Sequence, residues 1–156
     1  MKKRVLIPLI SAFGLCLSTP LLAEQTSAEK PAVIHPEVMS KSDIAGEIFN
    51  RDDLIVETSE SGRKTYDVVS LLSQDKKFVT GMYRAEAGRF DITEPYGVDE
   101  YMHFLKGSVT LTSSDGSVQV INAGDSVTIP KEWTGIWETD GYTKIYVIYS
   151  PDSPLE

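Results

Sequence analysis

The fold is decided by one stretch, Glu100–Pro130, which reads EYMHFLKGSVTLTSSDGSVQVINAGDSVTIP. Runs of Val, Ile, Thr, Tyr, Phe and Met alternate with Lys106-Gly107, Ser114-Asp115-Gly116 and Ala123-Gly124-Asp125. Alternation over such short runs, closed by Gly, Ser and Asp, is the pattern of half-buried strands and tight turns. SVTLTS (108–113) and SVQVIN (117–122) pair as a hairpin, with Gly116 free to take a positive φ in the turn. The same texture extends in both directions. LIVET (54–58), FVTGMYR (78–84), RFDIT (89–93) and VDEYMHFL (98–105) lead into the stretch and through its first strand. SVTIP (126–130), GIWET (135–139) and YTKIYVIYS (142–150) close it and follow it. No helical period of useful length interrupts 78–150. Strands at this spacing predict an all-β, antiparallel sandwich or barrel over residues 54–156.

Upstream the character changes. Residues 24–53 read as a leader or linker: 24–42 are polar and carry two prolines, and Ser42–Phe49 can form a short helix capped by Ser42. Residues 1–23 open with Lys2, Lys3 and Arg4, run apolar from Val5 to Leu17, and end at Ala23 before a polar segment. That is the build of a secretory signal peptide, cleaved after Ala23. The apolar region is interrupted by Pro8 and Pro20 and lies at the short limit for a membrane span. Leu15 precedes Cys16 where a lipid anchor wants a small residue, so Cys16 leaves with the signal and the mature chain has no thiol chemistry. The expectation is a periplasmic or secreted protein without a membrane partner.

The whole chain of 156 residues carries a formal charge of −8. The signal takes three cations with it, leaving 12 Lys+Arg against 23 Asp+Glu, or −11. Such a surface repels phosphate backbones, which argues against a nucleic-acid partner. The last strand is apolar on both faces, with Ile145 and Val147 on one and Tyr146 and Ile148 on the other. One face fills the barrel. The other needs a second layer, supplied by a homodimer partner or by residues 43–69 of the same chain.

Glu100, six residues and Gly107, then Gly124, five residues and Pro130, resemble the two motifs of the cupin superfamily. PKEWTGIWET followed by YTKIYVIYS is similar to the small cupins grouped with the (S)-ureidoglycine aminohydrolase cupin domain. The likeness covers about residues 76–150 and implies a jelly-roll barrel. It also implies a divalent metal of the manganese type, held by two His and a Glu from the first motif and a His from the second. Here those His positions fall at Glu94 and Tyr96 (or Thr93 and Pro95) and at Gly135, and only Glu100 is retained. A transition metal needs three or four ligands. No cofactor is therefore expected, with Glu94 and Glu100 as weak candidates for an atypical site. His35 falls in the leader. His103 lies three residues after Glu100, on the opposite face of its strand.

If Glu100 faces the lumen, alternation places Met102 beside it, and Trp137, Lys144 and Tyr146 follow on their own strands, with Tyr83 and Tyr96 near the mouth. Glu100 and Lys144 are the candidate catalytic acid and base. Tyr83, Tyr96, Met102, Trp137 and Tyr146 are the candidate ligand-binding residues. Two functions stand at this point. One is a metal-free cupin that binds a small molecule in its lumen. The other is an enzyme related to the aminohydrolase, acting through an atypical metal site or Glu/Lys acid–base chemistry.

Overall fold

Three strands of fifteen residues each carry the architecture, and each would extend about 50 Å if straight. A domain of this size is narrower than that, so the strands have to bend. In a computed structural model that describes residues 33–155, they do so in mid-strand. The strands are β1 (Ile55–Thr58), β2 (Lys64–Leu72), β3 (Phe78–Ile92), β4 (Asp99–Ser113), β5 (Val118–Asn122), β6 (Ser126–Ile129) and β7 (Gly135–Tyr149). They form one antiparallel sheet in the order β1-β2-β3-β7-β4-β5, with β6 paired to the first half of β4. Rolled on itself, this sheet is the expected all-β jelly-roll barrel.

The expected breaks at Lys106-Gly107, between Arg84 and Arg89, and between Thr139 and Tyr142 are interior positions of β4, β3 and β7. Backbone pairing continues across them, with register shifts in β4 on either side of Lys106-Gly107. Gly107 has φ +70° and lies against Gly141, which has φ +119°, and a Cβ on Gly107 would fall on the Gly141 carbonyl. Glycine is needed there to let two strands cross while bending. β2 is missing from the strands read in the sequence, because Lys64, Asp67 and Ser70 break its apolar alternation and a bulge sits between Val69 and Leu71.

Two clusters of buried side chains lie on opposite faces of the sheet. Inside are Ala85, Met102, Phe104, Val109, Leu111, Ile121, Ile129, Trp137 and Tyr142. Outside, Ile48, Phe49, Val68 and Met82 pack together with Met39, Leu54 and Ile145. The linker reading of 24–53 therefore needs correcting from Met39 onward, where the chain belongs to the folded unit. Its helix, α1 (Lys41–Ala45), is capped by Ser40 rather than Ser42. Ser40 Oγ accepts from the Asp43 amide at 3.1 Å, and the Asp43 carboxylate accepts from the Ser40 amide at 2.8 Å. That reciprocal box fixes the turn that leads into the 3-10 segment Glu47–Asn50. The signal peptide over 1–23, Cys16 and the leader up to residue 32 lie outside the described residues.

Candidate functional site

The lumen holds a cavity of about 560 Å³, within the size range of small-molecule sites. Its wall is largely aromatic and aliphatic, and its polar groups come from Arg63 just before β2, from β2, β3, β4 and β7, and from the loop before β4. Glu100 and Lys144 are both buried, at 2 % and 5 % exposure, and they meet there. Lys144 Nζ donates to Glu100 Oε1 at 2.6 Å, and Tyr96 Oη donates to Glu100 Oε2 at 2.5 Å. A buried carboxylate is costly unless it is paired, and here both oxygens are satisfied.

Local sequence explains the reach. Lys144 stands opposite Phe104 in the β4–β7 register, and its stem runs past Met102, whose Sδ lies 3.0 Å from Nζ. The ammonium also faces three rings, with centroids at 5.4 Å for Trp137, 5.5 Å for Tyr83 and 5.7 Å for Tyr142. Each is close enough for a cation–π contact. Tyr96 is held over the lumen by its loop, where its amide donates to the Trp133 carbonyl and Gly97 to that of Lys131. Burial is the main cause holding the Tyr96 phenol well above its ordinary range, and the Glu100 charge adds to it. Tyr96 thus remains a proton donor to Glu100.

A second polar pair lines the same cavity. Tyr146 Oη donates to Asp67 Oδ1 at 2.9 Å. The approach depends on Gly81, the β3 partner of Tyr146, where a Cβ would meet the Tyr146 hydroxyl at 2.5 Å. Burial raises the Asp67 carboxyl above its ordinary value, opposed by the Tyr146 hydrogen bond and the Lys144 charge. Burial likewise raises Tyr146 and Tyr142 above the normal phenol range.

Of the residues singled out from sequence, Glu100, Lys144, Tyr83, Tyr96, Trp137 and Tyr146 line this one cavity. Met102 does not. It is fully buried beneath Lys144 and helps seat the ammonium. Glu94 is exposed and outside the cavity wall. His103 lies on the outer face, with Nδ1 2.9 Å from Ser126 Oγ, and His35 is exposed. Sequence reasoning missed Arg63, Asp67, Phe90, Ile92 and Tyr142. A polar residue on the inner face of β2 was the available signal for Asp67, but it depended on seeing that strand.

The donor set does not fit a manganese ion. Glu100 already accepts from Lys144 and Tyr96, and an ammonium stands beside it. Gly135, at the last His position, has no room for a side chain. A Cβ there would strike the Thr112 carbonyl and lie 2.8 Å from the Trp133 ring. Among the described residues, no three His, Cys, Asp or Glu are grouped to hold a metal.

The family model of the EutQ-like cupin domain matches residues 72–146. The chain folds as a cupin. Its barrel is similar to that of the EutQ protein of Clostridium difficile, at 22 % identity over 64 % of this chain and 78 % of that one, TM-score 0.51. It is also similar to ectoine synthase from P. lautus, at 16 % identity over 69 % and 75 % of the two chains, TM-score 0.52. A protein of unknown function from Pseudomonas syringae pv. tomato is 18 % identical over 61 % of this chain and 43 % of its own, TM-score 0.55. At these identities the likeness speaks for the cupin fold alone. No curated protein matches the chain.

Proposed function

We propose that this cupin-domain protein binds a small organic molecule in its barrel lumen, without a resident metal, after export from the cytoplasm. The observation that carries the reading is the aromatic cavity of about 560 Å³ with Tyr96, Glu100 and Lys144 joined on its wall. An apolar hollow with a few convergent polar groups suits a ligand that is gripped by its body and oriented by its polar ends. Native mass spectrometry of protein purified from its own cells tests this directly. Co-purification of a small molecule that is lost in a Trp137→Ala variant is expected, and an empty, ligand-indifferent barrel would refute it.

A second reading has its own support. Lys144, Glu100 and Tyr96 form a chain of short hydrogen bonds open to the cavity, along which a proton can be passed. In that reading the protein is an enzyme of acid–base type, and the narrower likeness to the ureidoglycine aminohydrolase group belongs with it. Release of ammonia from ureidoglycine by wild-type protein but not by Glu100→Gln would favour it. Elemental analysis, with thermal melts in added manganese, separates a metalloenzyme from both metal-free readings.

Export rests on the Lys-Lys-Arg head and the apolar run that follows it. Intact-mass measurement of exported protein should show a chain beginning near Glu24. A mass that retains residues 1–23, or a lipid adduct on Cys16, would overturn it.

A further inference from the structure

Two charges in the lumen have no ionic partner among the described residues. Glu100 and Lys144 neutralise one another. Arg63 and Asp67 do not. Both line the cavity, yet among the described residues no ion pair involves either. They lie four residues apart on the β2 side of the barrel, at positions of the same parity, with α-carbons about 13 Å apart at the strand rise. The separation keeps them from cancelling each other.

Arg63 is set in place. Its Nε donates to the Glu86 carbonyl at 3.1 Å, and its guanidinium carbon lies 4.7 Å from the centroid of Phe90. It crosses β3 at Gly88, where a Cβ would meet Nε at 2.8 Å. These contacts leave the terminal Nη donors, the fork that matches a carboxylate, without a partner among the described residues. Asp67 accepts from Tyr146 on Oδ1, and Oδ2 has no partner among the described side chains. The Tyr83 ring stands on the neighbouring strand directly opposite Asp67, beside where a cation would sit.

We propose that the lumen recognises a zwitterion, an amine and a carboxylate joined by an apolar spacer, with the carboxylate on Arg63 and the ammonium on Asp67. The inference rests on the lumen being the binding site and adds the chemical class of its ligand. Opposed charges in one cavity favour a ligand of net charge zero. A simple anion would leave the half-buried Asp67 without a counter-charge, and a simple amine would do the same to the half-buried Arg63. Burial already disfavours the Asp67 charge, and an ammonium beside it would remove that penalty.

The test uses four probes of one length, 6-aminohexanoate, hexanoate, hexylamine and the neutral hexanamide. Affinity is read by calorimetry and location by the NMR shifts of the Tyr83 and Trp137 side chains. The full chain should bind 6-aminohexanoate about tenfold more tightly than either half-ligand. Arg63→Gln should erase the advantage over hexylamine, and Asp67→Asn the advantage over hexanoate. Gly88→Ala, which displaces the guanidinium without removing it, should act like Arg63→Gln. Equal affinity for the zwitterion and its halves, or variants that leave the preference intact, would overturn the proposal. If hexanamide binds as well as the charged probes, the lumen still binds small molecules and only the zwitterion assignment fails. If none of the four shifts Tyr83 or Trp137, both fail.

Discussion

Glu100 keeps its place in the lumen because Lys144 and Tyr96 each donate to one of its oxygens. The pair is dry, with side-chain exposures of 6 % for Lys144 and 3 % for Glu100. Breaking such a pair from one side leaves a buried charge unpaired, at a cost of about 3–5 kcal/mol. Glu100→Gln is expected to lose roughly that much in urea unfolding, and adding Lys144→Met should restore most of it. Equal losses in the single and double variants would mean that the pair is not what holds this part of the barrel. Asp67 is the opposite case. Burial raises its folded carboxyl above the ordinary 3.8, so its protonated form favours folding. That contribution is complete below the unfolded value and is lost as pH rises through the folded one. Asp67→Asn, which keeps an acceptor for Tyr146, should therefore melt higher than wild type at neutral pH. The gap should close as pH falls toward 3.8, as followed by melts across pH. A gap independent of pH would show that the charge is not the cause. Glu100 and Lys144 could be singled out from sequence because charged residues are conspicuous among apolar alternation. Arg63 could not, since it precedes a strand that the pattern does not reveal.

At the scale of the element, the long strands β3, β4 and β7 matter most. Each reads in sequence as two short runs, and each is one strand bent in the middle. The Gly107–Gly141 crossing makes the bend in β4 and β7, because neither position tolerates a side chain in its backbone conformation and Gly107 also lacks the space. Gly107→Ala should destabilise the fold by well over about 1 kcal/mol, since it adds a clash to the strain of a positive φ. Chemical denaturation measures this, and a near-neutral result would mean that the strands can cross without the kink. The faces of these strands were legible in advance. Alternation alone puts Glu100, Met102 and Phe104 on one side and His103 on the other, and the structure keeps that division. Continuity across a glycine was not legible, because Lys-Gly and Asp-Gly have the same local chemistry in a hairpin turn and in a bent strand.

At the scale of the molecule, residues from Met39 to Leu54 close the back of the sheet. Ile48 is 1 % exposed and packs with Phe49, Val68 and Met82 against the outer side of Ile145. Ile48→Ala should cost about 2–5 kcal/mol by leaving a cavity there, which thermal or urea unfolding will show. A change within about 0.5 kcal/mol, the range of ordinary surface substitutions, would mean the segment is only loosely applied. Because the chain covers Ile145 itself, a monomer is the expected result of light scattering at high micromolar concentration. A dimer mass would direct attention to the exposed Tyr101 and Tyr149, with the half-buried Val147 between them on the same face. The amino-acid sequence by itself determined the β class, the hairpin turn at Ser114–Gly116, the inward face of each strand it revealed, and the lack of a histidine metal set. These are local properties, set by side-chain alternation and by residue identity at short spacing. Only the tertiary structure decided that Arg63, Asp67, Tyr96, Glu100, Tyr142 and Lys144 share one cavity, and that the leader ends at Met39 as part of the core. Those facts depend on which strands pair after the long ones bend, and side-chain contact between residues up to 79 positions apart is set by the closure of the whole sheet, not by any run within it.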